Sequence, residues 1–288
     1  VKNMYAAFGS ANDEALRELH RIGTVKHLAT RERKEVEVEK KELLTEMLVS
    51  KYGDTYEQIV QMSAEDELKT FIETFEAAMK QQRGYFPSQT AFENRMAYGK
   101  DQLTTFYNHY RPHMPGVCQT GYSLNVFYHL YPLTGEMDNV VWVGKDEVVV
   151  EDWKTGNALK GIAKVKHCVD LSGGITKEMV EDATSIGDYK RQIYFYRIMI
   201  NNHPTLTIKP VAGKVRFIES ADTGGVPMAI DVPFNENEEQ LVKQQIAYAY
   251  KGILGKQFNK GCNDPLCSAC KFIQEAGIVL PGKIKDHE

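Results

Sequence analysis

At its centre the chain reads Leu133-Thr-Gly-Glu-Met-Asp138 and, a short hairpin later, Val149-Val-Glu-Asp152-Trp-Lys154-Thr-Gly156. Both segments contain apolar runs that predict neighbouring strands, and both runs end in charged residues. On a strand, Asp152 and Lys154 face the same side, whereas Trp153 between them faces the other. Charges at the end of a buried strand cost desolvation energy unless a cation or a substrate compensates them. The pattern therefore predicts a functional site.

The charged residues also indicate which chemistry the site performs. Two carboxylates, Asp138 and Asp152, can hold a divalent cation, and Lys154 can serve a water or a developing negative charge. Together these groups meet the minimum requirement for metal-assisted phosphodiester hydrolysis. The alternative is a surface ion pair worth about 0–1 kcal/mol. The run Val148-Val-Val150 indicates a buried strand, which favours the functional interpretation.

Helix and strand patterns extend from this centre in both directions. The predicted strands are 122–130, 133–143, 147–153, 214–218 and 228–232, with a turn at 144–146. The predicted helices are 8–19, 31–48, 63–82, 88–110, 189–201 and 235–254, and 167–187 is predicted as a loop with one helical turn. This mixed order argues for an α/β or α+β fold with a helical N-terminal lobe.

A second group of polar residues lies on the helix predicted at 189–201. Gln192 and Tyr196 are four residues apart and therefore neighbours on one helix face. Together they could offer an amide and a phenol to a phosphate or to a metal-bound water. Lys190 and Arg191, at the same end of the helix, could contact a DNA backbone.

Bulk composition narrows the classes of function. The 288 residues carry a net charge of -4, so any nucleic acid must be held by a local patch or presented by a partner. No apolar run approaches the roughly 20 residues that a membrane helix needs. Five cysteines, an odd number, favour a reducing, cytoplasmic setting over a disulfide framework. No Gly-x-x-x-x-Gly-Lys-Ser/Thr motif occurs, so the sequence contains no ATP motor.

In order and content these motifs resemble the RecB-type branch of the PD-(D/E)XK nuclease superfamily. The resemblance is greatest to the nuclease domain at the C-terminus of UvrD/RecB-like superfamily 1 helicases, and it spans residues 8–271. The matching segments are Gly135-Glu-Met-Asp138, Asp152-Trp-Lys154-Thr-Gly156, Gln192-Ile-Tyr-Phe-Tyr196 and Gly213-Lys-Val-Arg-Phe-Ile-Glu219.

The resemblance implies a restriction-endonuclease-like fold, in which helices flank a central mixed sheet. It implies one nuclease domain over residues 1–288. Within this domain we expect a helical lobe at 1–116, a nuclease core at 117–234, and a C-terminal helix with a cysteine-bearing tail at 235–288.

The resemblance also assigns roles to the polar residues. Asp138 and Asp152 would bind Mg²⁺ or Mn²⁺, with the backbone carbonyl of Trp153 as a further ligand. Lys154 would orient or deprotonate the attacking water, or stabilise the transition state. The residues that would position the substrate are Gln192 and Tyr196.

Two positions depart from the family pattern. Asp13, in Gly9-Ser-Ala-Asn-Asp13, stands where relatives carry a metal-binding histidine. Aspartate is an acceptable hard ligand, so we expect Asp13 to bind the cation as well. The alternative is a first-turn helix residue stabilised by the helix dipole. At the second position, Gly121 stands where relatives often carry Glu, which would weaken a supporting contact.

The C-terminal tail contains Cys262-Asn-Asp-Pro-Leu-Cys267-Ser-Ala-Cys270. Some relatives hold an iron–sulfur cluster with one cysteine before the nuclease core and three after it. Here Cys118 could complete such a set of four, although the spacing differs from that pattern. The alternatives are a Zn²⁺ site and cysteines that serve only as small packing residues.

The sequence thus predicts a metal-dependent DNA nuclease, an exonuclease or endonuclease acting on single-stranded or unwound DNA in repair or recombination. The expected partner is a superfamily 1 helicase in the same polypeptide or complex, and no membrane association is expected. Two alternatives remain open: a non-catalytic DNA-binding module with the nuclease fold, and a free-standing nuclease resembling the CRISPR adaptation family.

Overall fold

The computed structural model describes residues 3–32, 55–156, 158–219 and 226–255. Its described part contains a five-stranded sheet with the strand order β1-β2-β3-β4-β5. The parallel pair is β3 and β4, and the other neighbours are antiparallel, so the sheet is mixed as predicted. The strands are β1 (Cys118–Tyr128), β2 (Tyr131–Trp142), β3 (Glu147–Lys154), β4 (Lys209–Phe217) and β5 (Ala229–Pro233).

Helices flank this sheet, which confirms the predicted mixed fold of helices and strands. They are α1 (Met4–Glu32), α2 (Thr55–Gln61), α3 (Ala64–Gln81), α4 (Gln89–Tyr110), α5 (Ala158–Lys166), α6 (Lys177–Glu181), α7 (Asp188–Asn201) and α8 (Glu236–Leu254). None of the helices in the described ranges is long and apolar enough to cross a bilayer.

Two serines begin helices of the N-terminal lobe where the sequence predicted helix starts. Ser63 Oγ accepts a hydrogen bond from the backbone N–H of Asp66 at 3.1 Å, and the Asp66 carboxylate accepts one from the Ser63 N–H at 3.1 Å. Ser88 Oγ accepts from the N–H of Ala91 at 3.0 Å. These bonds satisfy amide groups that the first turn of a helix leaves without partners.

The connection between β3 and β4 differs in part from the prediction. Parallel neighbouring strands need a crossover, and α5, α6 and α7 supply it. Helix α5 was not predicted, whereas α6 is the single helical turn expected within 167–187. The helix predicted at 31–48 lies outside the described residues beyond Glu32, where α1 ends.

Strand β3 is buried on both of its faces. Val150 packs in the apolar core between the sheet and α7, together with Ile193. Trp153 packs on the opposite side, in the core of the helical lobe, together with Leu16 and Leu19 of α1. A strand covered on both faces reads as a continuous apolar run, as Val148-Val-Val150 does.

Helix α7 lies close to β4 because of a glycine. A Cβ at Gly213 would lie 2.1 Å from Cγ2 of Ile193, which is fully buried on α7. Only a residue without a side chain permits this approach. The same approach brings Gln192, the neighbour of Ile193, towards the end of β3.

The substitution Gly213→Ala should therefore push α7 away from the sheet. We expect it to lower the free energy of unfolding by about 1–3 kcal/mol, the usual cost of overpacking, as measured by urea denaturation. The matched control is Gly252→Ala on α8, where a Cβ meets nothing within 4 Å among the described residues. That control should be neutral or stabilising by up to about 1 kcal/mol. Equal stability of the two variants would contradict the packing argument.

Candidate active site

The ladder between β2 and β3 ends at the pair Asn139 and Glu151. The next residue on each strand is a carboxylate, Asp138 on β2 and Asp152 on β3. Asp138 Oδ2 accepts a hydrogen bond of 2.7 Å from the backbone N–H of Trp153. A side chain thus takes the place of a backbone carbonyl where the two strands separate, and it holds Asp138 beside the end of β3.

Asp152 is a buried carboxylate with an incomplete set of partners. Lys154 Nζ lies 2.6 Å from Asp152 Oδ2, as expected for two residues on the same side of a strand. Oδ1, however, is buried and has no hydrogen-bond partner among the described residues. Burial raises the pKa of Asp152 to about 7, against the opposing charge of Lys154 and with a further contribution from Asp138. The positive charge of Lys154 therefore does not suffice to neutralise the carboxylates of the site.

Asp138 responds to the same surroundings. Burial raises its pKa, and the hydrogen bond from Trp153 and the charge of Lys154 act in the opposite direction. Two neighbouring carboxylates that both resist ionisation are typical of a site that binds a cation.

Asp13 of α1 joins this group across the interface between helix and sheet. Burial and the neighbouring charge of Asp138 raise its pKa to about 7, against the opposing charges of Arg17 and Lys154. Because α1 begins at Met4, Asp13 lies in the third helical turn, so the alternative interpretation as a first-turn residue is wrong. Helix α1 packs against β1, and Asp13 lies close enough to Asp138 and Lys154 for their charges to shift its pKa.

Lys154 is held by a chain of polar contacts from α7. Its Nζ donates to Gln192 Oε1 at 3.0 Å, and Gln192 Nε2 donates to the Tyr196 hydroxyl at 2.6 Å. Tyr196 is buried, and this burial is the main reason that the pKa of its phenol is raised. The structure thus brings together four of the residues singled out in the sequence: Asp152, Lys154, Gln192 and Tyr196.

The donor set fits a hard divalent cation through Asp138 and Asp152. Mg²⁺ and Mn²⁺ prefer carboxylate oxygens, and Asp152 Oδ1 is buried without a hydrogen-bond partner among the residues that the structure describes. Within the described ranges, however, no group of three or more His, Cys, Asp or Glu side chains is placed so that it could hold a metal ion. The roles of Asp13 and of the Trp153 carbonyl as further ligands therefore stay predictions.

The two cations predicted to contact DNA both have partners within the protein. Lys190 Nζ lies 2.7 Å from Glu238 of α8, and its side chain is only 14% exposed. Arg191 pairs with Asp188 at 2.8 Å and also donates to a backbone carbonyl. For Lys190 the geometry favours a role in joining α7 to α8 over contact with a DNA backbone.

Cys118, the predicted fourth cysteine of a metal site, lies at the start of β1 against α1. Its Sγ is 3.1 Å from His20 Nδ1 and 3.3 Å from Thr24 Oγ1. Burial raises its pKa to about 11, which favours the thiol over the thiolate that binds metal. The other three members (Cys262, Cys267 and Cys270) lie outside the described residues, so the cluster stays a prediction.

Several buried residues behind the carboxylates were not singled out in the sequence. Glu151, on the opposite side of β3 from Asp152, accepts hydrogen bonds from Arg216 at 2.7 and 3.0 Å and from Asn139 at 3.1 Å. His20 of α1 stacks on Trp153 with ring centroids 4.7 Å apart. These contacts fix β3 from the side opposite Asp152. In the sequence, these contacts are indicated only by the charged residue Glu151 between Val150 and Asp152.

Comparison with known protein families identifies the superfamily of the chain. The family model of the PD-(D/E)XK nuclease superfamily matches residues 2–274. The chain therefore belongs to this superfamily, and the membership supports a hydrolytic nuclease. No curated protein matches the sequence significantly.

Two solved structures are similar to this chain at low sequence identity. One, described as a "Putative exonuclease" from Eubacterium rectale, is 12% identical with a TM-score of 0.45, and the match covers 73% of this chain and 72% of that one. The other, SSO0001, is 13% identical with a TM-score of 0.30, and the match covers 84% of this chain and 98% of that one. These TM-scores are too low for either likeness to support a function for this chain.

Removing the charge of Asp152 should change the pH dependence of stability. The pKa is about 7 in the folded protein against an ordinary value of 3.8, so ionisation disfavours the folded state progressively between pH 4 and pH 7. In EDTA, Asp152→Asn should exceed the wild type in Tm at pH 8, by on the order of 5 °C, and this advantage should shrink towards pH 5. Thermal melts followed by circular dichroism measure the difference.

The control for this experiment is Asp170→Asn, which removes an exposed carboxylate. Asp170 accepts from the backbone N–H of Ser172 at 2.9 Å, and this bond lowers its pKa, so its replacement should bring no advantage at pH 8. An equal Tm difference for Asp152→Asn at every pH would contradict the assigned cost of its ionisation.

Proposed function

We propose that this protein is a Mg²⁺- or Mn²⁺-dependent nuclease that hydrolyses phosphodiester bonds of single-stranded or unwound DNA. The observation that carries the proposal is the buried carboxylate of Asp152, whose Oδ1 has no hydrogen-bond partner in the described part of the chain and whose Oδ2 pairs with a lysine oriented by Gln192. A divalent cation held by Asp138 and Asp152 would supply the missing positive charge and polarise the phosphodiester.

The side chains of the protein have separable tasks in this reaction. The ammonium group of Lys154 stabilises negative charge that develops on the phosphate, because its position is set before the reaction by Asp152 and Gln192. Tyr196 accepts a hydrogen bond from Gln192 and keeps its own O–H to donate to a substrate oxygen. The buried surroundings exclude water from the charges and so strengthen these interactions.

The biological setting belongs to the same proposal. We place the chain near the RecB-type branch, as the nuclease module of a superfamily 1 helicase acting in cytoplasmic DNA repair or recombination. The order of the four matching segments along the chain supports this placement. A helicase would also present single strands to a protein whose net charge of -4 gives it little general affinity for DNA.

A second candidate is a non-catalytic DNA-binding module with the same fold. One observation favours it: within the described residues, no three metal-binding side chains are placed together to hold a metal ion. A titration with Mn²⁺ separates the two functions.

The nuclease assay uses a fluorescent single-stranded oligonucleotide with Mg²⁺ or Mn²⁺. We expect wild type to cleave it, Asp152→Asn to show no cleavage, and Lys154→Gln to lose about 10²–10³-fold in kcat, as for removal of one transition-state donor. Lys177→Gln is the matched control, because Lys177 is 81% exposed on α6. Wild-type activity no greater than that of Asp152→Asn in either metal would refute the catalytic proposal.

Calorimetric titration of the protein with Mn²⁺ tests the cation site directly. We expect a binding event for the wild type that is lost in Asp138→Asn, since this substitution removes one carboxylate ligand. Circular dichroism spectra of both proteins control for folding. Binding of Mn²⁺ with equal affinity by the two proteins would place the cation elsewhere, and an absence of binding by both would favour the non-catalytic module.

A further inference from the structure

A second cation, Arg17 of α1, lies at the edge of the active site. It follows Asp13 by four residues, so the two side chains are neighbours on one face of the helix. Its positive charge lowers the pKa values of both Asp13 and Asp138. Its side chain is nevertheless 40% exposed, whereas that of Lys154 is 20% exposed and is already engaged with two partners.

Gly121 provides the space that the Arg17 guanidinium occupies. In the register of β1 and β2, Gly121 lies opposite Asp138, between the pairs Thr120–Asn139 and Tyr122–Met137. A Cβ at this position would be 2.9 Å from Arg17 Nη1 and 3.1 Å from its Cζ. The φ of +60° at Gly121 also disfavours other residues there. The missing side chain thus leaves room for the guanidinium beside Gly121, close enough to Asp138 for its charge to lower the pKa of that carboxylate.

Glu136 holds Arg17 at this place without covering it. The Arg17 guanidinium donates to Glu136 Oε1, and Glu136 Oε2 accepts a hydrogen bond of 3.1 Å from Ser123 Oγ across the strand pair. The Glu136 side chain is 45% exposed. An ion pair that is this exposed contributes little to stability, so an anion from solution can replace Glu136 at little cost.

We propose that Arg17 binds a non-bridging phosphate oxygen of the substrate at the mouth of the active site, exchanging Glu136 for the phosphate. The inference rests on the proposed function, because it takes a phosphodiester as the substrate. A guanidinium group offers paired donors that match phosphate geometry. The site needs such a cation, since the carboxylates of Asp13, Asp138 and Asp152 would otherwise repel an approaching phosphate.

The binding test uses the inactive Asp152→Asn protein, a fluorescein-labelled single-stranded oligonucleotide and EDTA, with fluorescence anisotropy measured between 50 and 200 mM salt. Adding Arg17→Gln should weaken binding about fivefold to tenfold at the lowest salt. It should also reduce the slope of log K against log[salt] by about 0.7, the value for one lost phosphate contact on a single strand. Arg17→Lys should restore part of the affinity.

Two further variants distinguish phosphate binding from a structural role of the ion pair. Glu136→Gln frees the guanidinium, so it should tighten binding about twofold to threefold, whereas a merely structural pair would make both variants weaker. Arg21→Gln removes a cation one turn further along α1 that pairs with Glu18, and it should leave the slope unchanged. Melting temperatures confirm that the variants fold.

The outcomes separate this inference from the proposed function. Equal slopes for Arg17→Gln and Arg21→Gln, together with DNA cleavage by the wild type, would overturn the role of Arg17 and leave the nuclease proposal intact. In the active protein, Arg17→Gln should raise KM about tenfold with kcat changed less than threefold. If the wild type neither binds nor cleaves DNA, the proposed function fails and the inference fails with it.

Discussion

The burial of strand β3 between two apolar cores is the constraint on which the rest of the structure depends. Trp153 anchors one face in the helical lobe, and Val150 anchors the other against α7. The strand therefore carries Asp152 and Lys154 into surroundings that solvate charge poorly. Asp138 follows because its carboxylate accepts the Trp153 N–H at the point where β2 and β3 separate. The packing of apolar residues thus concentrates the charges of the site.

Electrostatic imbalance connects this packing to function. Burial raises the pKa values of Asp13 and Asp152 to about 7, which means that the protein alone does not neutralise its own carboxylates. Lys154 supplies one positive charge in a fixed orientation, and Arg17 supplies a second at the exposed edge. The buried carboxylates suit the binding of a divalent ion. The cation at the mouth of the site suits the approach of a phosphate.

Much of the fold could be predicted from local patterns. Alternating and apolar runs located the strands of the sheet, although β1 begins four residues before the predicted start and β4 five residues before. The capping residues located the starts of α3 and α4. Helix α5 was not predicted. It is part of the crossover that joins β3 to the parallel strand β4, and the local sequence does not show that these two strands pair in parallel. The environment of Lys190 was missed as well, since Glu238 lies 48 residues away in the chain.

The sequence by itself determined which residue types stand at which strand and helix positions, and so the pairing of Asp152 with Lys154 and of Gln192 with Tyr196. Those relations follow from the two-residue period of a strand and the four-residue spacing of a helix. Only the tertiary structure decided that α1 brings Asp13 and Arg17 close to Asp138 of the sheet, and that Gly121 leaves room for the Arg17 guanidinium. Such contacts join residues more than 100 positions apart, and their formation depends on packing that no local pattern records.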